Sequence, residues 1–332
     1  MRKLNKSYKI YSCILICFLL ILNGCARESD SLVEKQPLET QALDKKAQIE
    51  EPSTEEMQQT EELTMDEAQK RFAGPTVAEA DWSNYFDGIN GAAVIYDPIE
   101  NCYQIYNQEL AIARRSPCST FKIISSLIAL ENGIIEPDDS TRTWSGEIFA
   151  NEAWNTDIDF DDAFRSSCVW YFRAVIDEIG KDAIQEELNR LEYGNCDISD
   201  WSGQLNTNSN NPALTGFWIE SSLLISPREQ AEVMERIFGD HTDYSEETLD
   251  QLKQVMLLSE QSEDDISIYG KTGMGMSYNI VVDSWYTGFA DVAGERIYFC
   301  VYLGETDNKD VSSAKAREIA IKMICNYSEA CK

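Results

Sequence analysis

The chain of 332 residues contains one histidine, His241, and no Cys-x-x-Cys pair. Histidine and paired cysteines supply most zinc sites, and histidine is the usual base of serine hydrolases. A metal centre is therefore not indicated, and a serine nucleophile would need another base. Positive charge is also scarce, since 28 basic residues face 58 acidic ones and the net charge is −30. A field of that sign repels phosphate backbones, which argues against nucleic-acid binding.

The first residues have the pattern of an export signal. Arg2 to Lys9 form a basic segment, and Ile10 to Leu22 form an apolar run that is short for a membrane span. Leu22-Asn23-Gly24-Cys25 resembles the lipobox of bacterial lipoproteins. This predicts a lipoprotein signal peptide over residues 1–24, with Cys25 lipidated and anchoring an exported protein to the outer face of the cytoplasmic membrane. A plain secretory signal, with Cys25 coincidental, is the alternative.

The next segment cannot build a hydrophobic core. Residues 26–71 contain no aromatic residue and no glycine, and they are rich in glutamate, glutamine, threonine and lysine. Such a composition buries too little apolar surface to offset the entropy of ordering. We predict a disordered acidic tether over residues 25–80 and a folded catalytic domain over 81–332, because the tryptophans begin at Trp82.

Strand-like runs occur at both ends of this domain, and helical patterns dominate its middle. Residues 91–97 and 102–107 predict a hairpin, and three further β-rich runs precede a last amphipathic helix near 311–326. We predict an α+β fold of the β-lactamase/transpeptidase type. Both chain ends would form an antiparallel sheet with flanking helices, and an all-helical subdomain would be inserted at about 136–262.

Ser119 and Lys122 lie in the run SPCSTFKIIS, residues 116–125, where apolar residues recur at helical spacing. Residues three apart share a helix face, so the amine can reach the hydroxyl, and the helix start supplies N–H groups for a developing oxyanion. The pair alone could be an incidental helix surface. Lys271-Thr272-Gly273, on a predicted strand, adds a second part of the signature of penicillin-recognising serine enzymes.

Seven segments in order resemble the class D serine β-lactamases, or oxacillinases. The resemblance runs from about residue 85 to the C terminus, and it implies hydrolysis of β-lactam antibiotics through an acyl-serine. The Ser-Asp-Asn motif of class A enzymes is absent. The matching segments are SPCSTFKI, AWNTD, SSCVWYF, YGN, FWIE, GKTG and SWYTGF.

The resemblance implies roles for the matching positions. Ser119 would be acylated by the β-lactam carbonyl. Lys122, carrying a carboxylate derived from carbon dioxide, would act as general base in acylation and deacylation, with no other cofactor. Ser167 would relay protons to the leaving nitrogen, and Val169 would form part of the apolar wall around Lys122. Trp218 would donate an indole hydrogen bond to the carboxylate.

The same resemblance assigns the substrate contacts. Lys271-Thr272-Gly273 would line the substrate edge, and the backbone N–H groups of Ser119 and Met274 would form the oxyanion hole. The family usually places an arginine near the start of the last helix to bind the substrate carboxylate. The best register puts Ala316 at that position, which leaves Arg317 as a weak candidate.

The chemistry of Lys122 agrees with this assignment. A lysine with the ordinary pKa of about 10.4 is neutral in only about one molecule in 2,500 at pH 7. A charged ammonium can neither accept a proton nor react with carbon dioxide, so the site must desolvate the amine. The apolar residues available for this are Phe121, Val169, Trp170 and Trp218.

Several alternatives stay open. Trp218 could serve core packing alone. Tyr193-Gly194-Asn195 is a second candidate for the middle catalytic motif, beside Ser167-Cys168-Val169, or it is only a turn. Cys118 and Cys168 are interpreted as small buried hydrophobes. The competing functions are a β-lactam sensor or a transpeptidase-like penicillin-binding domain, both acylated without turnover. Sensors tend to carry asparagine where this chain has Val169.

Overall fold

The computed structural model describes residues 74–258, 266–278 and 280–330. The predicted signal peptide, Cys25 and most of the predicted tether lie outside the described residues. The last residues of the predicted tether form strand β1, Thr76–Glu79, which pairs in parallel with the strand Cys102–Tyr106. The sheet therefore begins before the predicted domain boundary at residue 81.

Six strands form one sheet in the order β1-β3-β2-β6-β5-β4. All neighbouring pairs are antiparallel except β1 with β3. The chain ends thus meet in one sheet as predicted, and one parallel edge strand is added to it. The strands after β1 are β2 Gly91–Asp97, β3 Cys102–Tyr106, β4 Ile266–Ser277, β5 Ile280–Val292 and β6 Glu295–Gly304.

The α-helices of the described ranges flank this sheet or fill the insertion between β3 and β4. The helix Pro227–Phe238 begins with a capping box formed by Ser226 and Glu229. The helices are α1 Ser83–Phe86, α2 Gln108–Ala111, α3 Lys122–Glu131, α4 Phe160–Arg165, α5 Val169–Ile179, α6 Lys181–Arg190, α7 Pro227–Phe238, α8 Glu246–Met256 and α9 Ser313–Ala330.

Core packing assigns the helices to two layers. Along β2, Ala92 and Val94 belong to one hydrophobic cluster and Ala93 and Ile95 to the other, as the two-residue period of a strand requires. Helix α7 packs on β2, β5 and β6, and α9 packs on β4, β5 and β6. The C-terminal part of the predicted insertion, around α7, therefore flanks the sheet instead of belonging to a separate helical subdomain.

Candidate active site

Ser119 lies in a tight turn that leads into α3. The predicted helix starts as a 3-10 turn, Cys118–Phe121, and becomes an α-helix at Lys122. Lys122 Nζ donates a hydrogen bond of 2.9 Å to Ser119 Oγ. Ser119 is partly exposed, whereas Lys122 is 1% exposed. A partly exposed serine hydroxyl thus lies against a buried amine, which an incidental helix surface would not provide.

Burial changes the acid–base properties of Lys122. Desolvation lowers the pKa of this amine from 10.5 to about 8. The ring of Phe172 lies 5.4 Å from Nζ, and Phe121 stacks on Trp218 at 6.1 Å. Phe172 was missed by sequence reasoning, although it lies on the same face of α5 as Val169, three residues earlier.

One predicted wall residue has a different position. Trp170 is only partly buried, and its indole N–H donates to the backbone oxygen of Trp154 at 2.9 Å. Trp154 in turn donates to the backbone oxygen of Ser166 at 3.1 Å. Trp170 therefore holds the segment of Trp154, which precedes α4. Phe172 occupies the position beside the Lys122 amine that was predicted for Trp170. Val169 is partly buried at the first position of α5.

A second serine–lysine pair lies in the same site. Lys271 Nζ donates to Ser167 Oγ at 3.0 Å, and Lys271 is 4% exposed. Burial, and then the nearby charge of Lys122, lower the pKa of Lys271 well below 10.5. Ser167 has a left-handed backbone, with φ of 61°, an unfavourable conformation for a non-glycine residue. The Ser167 motif thus reaches the strand that carries Lys271.

Tyr193-Gly194-Asn195 has a structural role instead. Asn195 N donates to Leu224 O, and Leu224 N donates to Asn195 Oδ1, both at 2.9 Å. Asn195 Nδ2 also donates to Ser222 O at 2.8 Å. Gly194 has φ of +54°, and a Cβ there would lie 2.0 Å from Leu224 O. The motif clamps the segment after Trp218, so its interpretation as a turn fits the geometry.

Trp218 connects this segment to the nucleophile. Its backbone oxygen accepts hydrogen bonds from Cys118 N at 2.9 Å and Ser116 Oγ at 3.1 Å. Its ring stacks with Phe121, and the guanidinium of Arg173 lies 5.3 Å from it on another side. Trp218 is 1% exposed. It therefore packs in the core, against the turn that precedes Lys122.

Strand β4 runs directly beside the nucleophile turn. A Cβ at Gly273 would lie 2.9 Å from Pro117 O and 3.0 Å from Thr120 Cγ2, so only glycine allows this approach. Thr120 is itself held by Gln230, whose Nε2 donates to Thr120 Oγ1 at 2.9 Å. Met274 follows Gly273 with a side chain that is 46% exposed. The predicted substrate edge and the predicted nucleophile are thus adjacent.

A cavity of about 240 Å³ opens next to this edge. Lys271, Thr272 and Arg317 line it, together with Arg165 at the end of α4. Arg317 forms no ion pair with a carboxylate of the described residues, whereas Ala316 is fully buried beneath it. Arg317 is therefore the basic residue of α9 that faces the site. Arg165 was missed, although its position two residues before Ser167 was a usable signal.

Neither metal-ligand clusters nor helices long and apolar enough to cross a membrane occur in the described ranges. The profile of the penicillin binding protein transpeptidase domain matches residues 83–324. Regulatory protein BlaR1 of Bacillus licheniformis is 31% identical over 265 residues, which are 79% of this chain and 41% of that protein. The chain thus spans less than half the length of this relative.

A probable β-lactamase and a solved receptor domain are also similar to this chain. The probable β-lactamase YbxI of Bacillus subtilis is 28% identical over 256 residues, covering 76% of this chain and 86% of that protein. The solved C-terminal domain of the Bacillus licheniformis BlaR penicillin-receptor has a TM-score of 0.66 and 30% identity, covering 77% of this chain and 98% of that domain. Class D β-lactamases also occur among the structural neighbours.

Proposed function

Since the chain belongs to the penicillin-binding protein transpeptidase domain family, we propose that it hydrolyses β-lactam antibiotics. The proteins similar to it include class D β-lactamases and BlaR1 proteins. The observation that carries the proposal is the 2.9 Å hydrogen bond between an accessible Ser119 and a buried Lys122. A nucleophile next to a base of lowered pKa is what acyl transfer requires.

Acylation needs a base, a proton relay and donors for the oxyanion. Lys122, carrying its carbon dioxide-derived carboxylate, would accept the proton of Ser119 Oγ as that oxygen attacks the β-lactam carbonyl. The C–N bond of the ring then breaks, and Ser167 relays the proton taken from Ser119 to the leaving nitrogen, so that the base on Lys122 is unprotonated again. Lys271 donates to Ser167 Oγ at 3.0 Å and orients the hydroxyl of that relay. The backbone N–H groups of Ser119 and Met274 bind the oxyanion.

Deacylation needs the same base again, now to activate water. The carboxylate on Lys122 would form from carbon dioxide on the neutral amine before acylation and would serve both steps. Burial favours the neutral amine that this modification requires. Phe121 and Phe172 form apolar walls beside the amine, and the indole N–H of Trp218 would be the donor to the buried carboxylate.

The substrate carboxylate is assigned to the cavity beside β4. Thr272 and Arg317 line it with a hydroxyl and a guanidinium, and Arg165 adds a second positive charge. A planar guanidinium binds a carboxylate through two parallel hydrogen bonds. This assignment gives Arg317 the role of the arginine that the family usually places one position earlier in this register.

The second candidate function is a sensor that is acylated once. The 30% identity to the BlaR penicillin-receptor domain supports it, whereas Val169 in place of a sensor-type asparagine supports the enzyme. The two differ in stoichiometry. A hydrolase converts many equivalents of nitrocefin per protein molecule, whereas a sensor stops at one.

Trp218→Phe is expected to lower the steady-state rate about tenfold at ambient carbon dioxide. The phenyl ring keeps most of the volume but lacks the N–H, and a hydrogen bond to a buried charge contributes roughly 1.5–3 kcal/mol. Deacylation should slow more than acylation, and high bicarbonate should restore part of the rate. The measurement is nitrocefin turnover against bicarbonate concentration, with Trp201→Phe as a control because Trp201 stacks on Phe217, whereas Trp218 stacks on Phe121, the residue before Lys122. Equal bicarbonate curves for Trp218→Phe and wild type would remove Trp218 from this role.

We further propose that Cys25 anchors the protein to the membrane. Cys25→Ser should move the full chain from the membrane fraction to the soluble fraction. Cys13→Ser, in the apolar run of the same leader, is the matched control and should leave the partition unchanged. An unchanged membrane fraction for Cys25→Ser would contradict lipidation at this cysteine.

A further inference from the structure

Glu220 lies two residues after Trp218 and has an unfavourable backbone. Its φ is 50°, in the left-handed region, and its side chain is partly buried. Burial raises the pKa of its carboxyl group, and hydrogen bonds from Met276 and Asn208 oppose that rise. A strained backbone and a desolvated carboxylate both cost stability, and such costs concentrate at functional positions.

The backbone and side chain of Glu220 join three segments. Glu220 N donates to Ser116 Oγ at 2.7 Å, and Ser116 lies three residues before the nucleophile. Ser116 Oγ donates in turn to Trp218 O at 3.1 Å. One carboxylate oxygen of Glu220 accepts a hydrogen bond from Met276 N, on β4. The nucleophile turn, the Trp218 segment and the substrate-edge strand therefore meet at this one residue.

The second carboxylate oxygen is also occupied. It accepts a hydrogen bond from Asn208 Nδ2, which lies close to Met276 O as well. Asn208 Oδ1 accepts from Tyr278 N at 3.0 Å. Both oxygens of Glu220 thus face donors, and Asn208 extends the connection to the end of β4.

The hydrogen bond from Met276 N defines the orientation of β4. The pairing of β4 with β5 has a bulge at this point, because Gly275 pairs with Asp283 but Met276 pairs with Val281. The extra residue of the bulge is on β5, so the alternating direction of the N–H groups along β4 is not interrupted. N–H groups two residues apart on a strand point to the same edge. Because Met276 N–H points to Glu220, Met274 N–H points to that edge too. This is the edge that faces the Ser119 turn.

We propose that Glu220 is a positioning residue for the oxyanion hole. By fixing Met276 to the segment that also holds Ser116, it sets the distance between the N–H groups of Met274 and Ser119. The inference rests on the proposed acylation of Ser119, but not on turnover, so it applies equally to an enzyme and to a sensor.

Glu220→Gln tests this inference with little change in volume. One oxygen becomes an NH₂ group that must face Met276 N–H or Asn208 Nδ2, both of which are donors. We expect the first-order rate constant of acylation by a penicillin to fall about tenfold to a hundredfold, because oxyanion donors act only when correctly placed. The dissociation constant of the preceding noncovalent complex should change less than about threefold. Stopped-flow kinetics with a fluorescent penicillin separates the two.

Glu131→Gln is the matched control. Glu131 also accepts hydrogen bonds from a backbone N–H and a hydroxyl, both of Ser245, at the far end of α3. It should acylate at the wild-type rate. An unchanged acylation rate constant in folded Glu220→Gln would overturn the inference, as would an equal loss in Glu131→Gln.

A second variant and a wild-type measurement cover the remaining outcomes. If Glu220→Gln does not fold, Asn208→Ala replaces it, since it removes the amide that contacts both Glu220 and Met276 O. Slower acylation in Asn208→Ala supports the inference, and an unchanged rate overturns it. A wild-type protein that forms no adduct on Ser119 contradicts the proposed function itself, which is a different result from an unaffected variant.

Discussion

Lys122→Met is expected to lose roughly a thousandfold or more in β-lactam turnover while the folded domain becomes more stable at neutral pH. Lys122 is the proposed base of both half-reactions, so neither step stays fast without it, and general-base catalysis contributes about a hundredfold to ten-thousandfold to such a step. The thioether fills a volume similar to that of the lysine chain. Activity and stability should therefore move in opposite directions.

The sign of the stability change follows from the lowered pKa. Lys122 has a pKa of about 8 in the fold and 10.5 ordinarily. Below pH 8 the unfolded chain holds the proton more firmly than the fold does, which costs the fold roughly 3 kcal/mol. The cost shrinks as pH rises from 8 to 10.5 and is absent above that range. The advantage of Lys122→Met should thus be present at pH 7 and lost near pH 10.5.

Denaturant unfolding at the two pH values measures this difference, in buffer stripped of carbon dioxide so that Lys122 is a free amine. Lys253→Met is the control, because Lys253 is a partly exposed lysine that pairs with Asp250 at 3.0 Å. It should change stability by less than about 1 kcal/mol at either pH. A Lys122→Met protein less stable than wild type at pH 7 would contradict a buried, desolvated amine.

Ser119→Ala is expected to abolish the covalent adduct with penicillin and with it all turnover. Alanine removes the hydroxyl that is hydrogen-bonded to the proposed base, Lys122, at 2.9 Å. Intact-mass spectrometry followed by peptide mapping detects the adduct. In wild type it should lie on the peptide that contains Ser119.

Ser126→Ala is the matched control for this variant. Ser126 is a fully buried serine further along α3, and its hydroxyl has no hydrogen-bond partner among the described residues. It should be acylated like wild type. An adduct of the same mass that persists in Ser119→Ala would assign the nucleophile to another residue.

The Ser119–Lys122 pair could be predicted from the sequence because its two members are close together in the chain. Ser119 and Lys122 are three residues apart, so helical geometry alone brings them together. The strands at both chain ends were also predictable, since β2 and β6 are continuous apolar runs. Their burial on both faces of the sheet explains why these runs do not alternate.

Other parts of the fold depend on contacts between distant segments. Phe172 approaches Lys122 only because α5 packs against α3, and Trp170 is turned away by its hydrogen bond to Trp154. Strand β1 forms because an edge of β3 is free to pair, although its own four residues are all exposed. Neither the packing of two helices nor a free sheet edge can be predicted from a local sequence pattern.

The fate of the Ser119 acyl-enzyme tests the central claim most directly. Wild-type protein is mixed with a penicillin, and the mass of the adduct is followed over time in bicarbonate and in buffer stripped of carbon dioxide. If Lys122 works as a carboxylated base, the adduct disappears over repeated cycles in bicarbonate and persists after carbon dioxide is removed. An adduct that persists equally in both buffers would contradict hydrolysis and make the chain a one-time acylated sensor. Equal loss in both buffers would mean that Lys122 acts as a free amine.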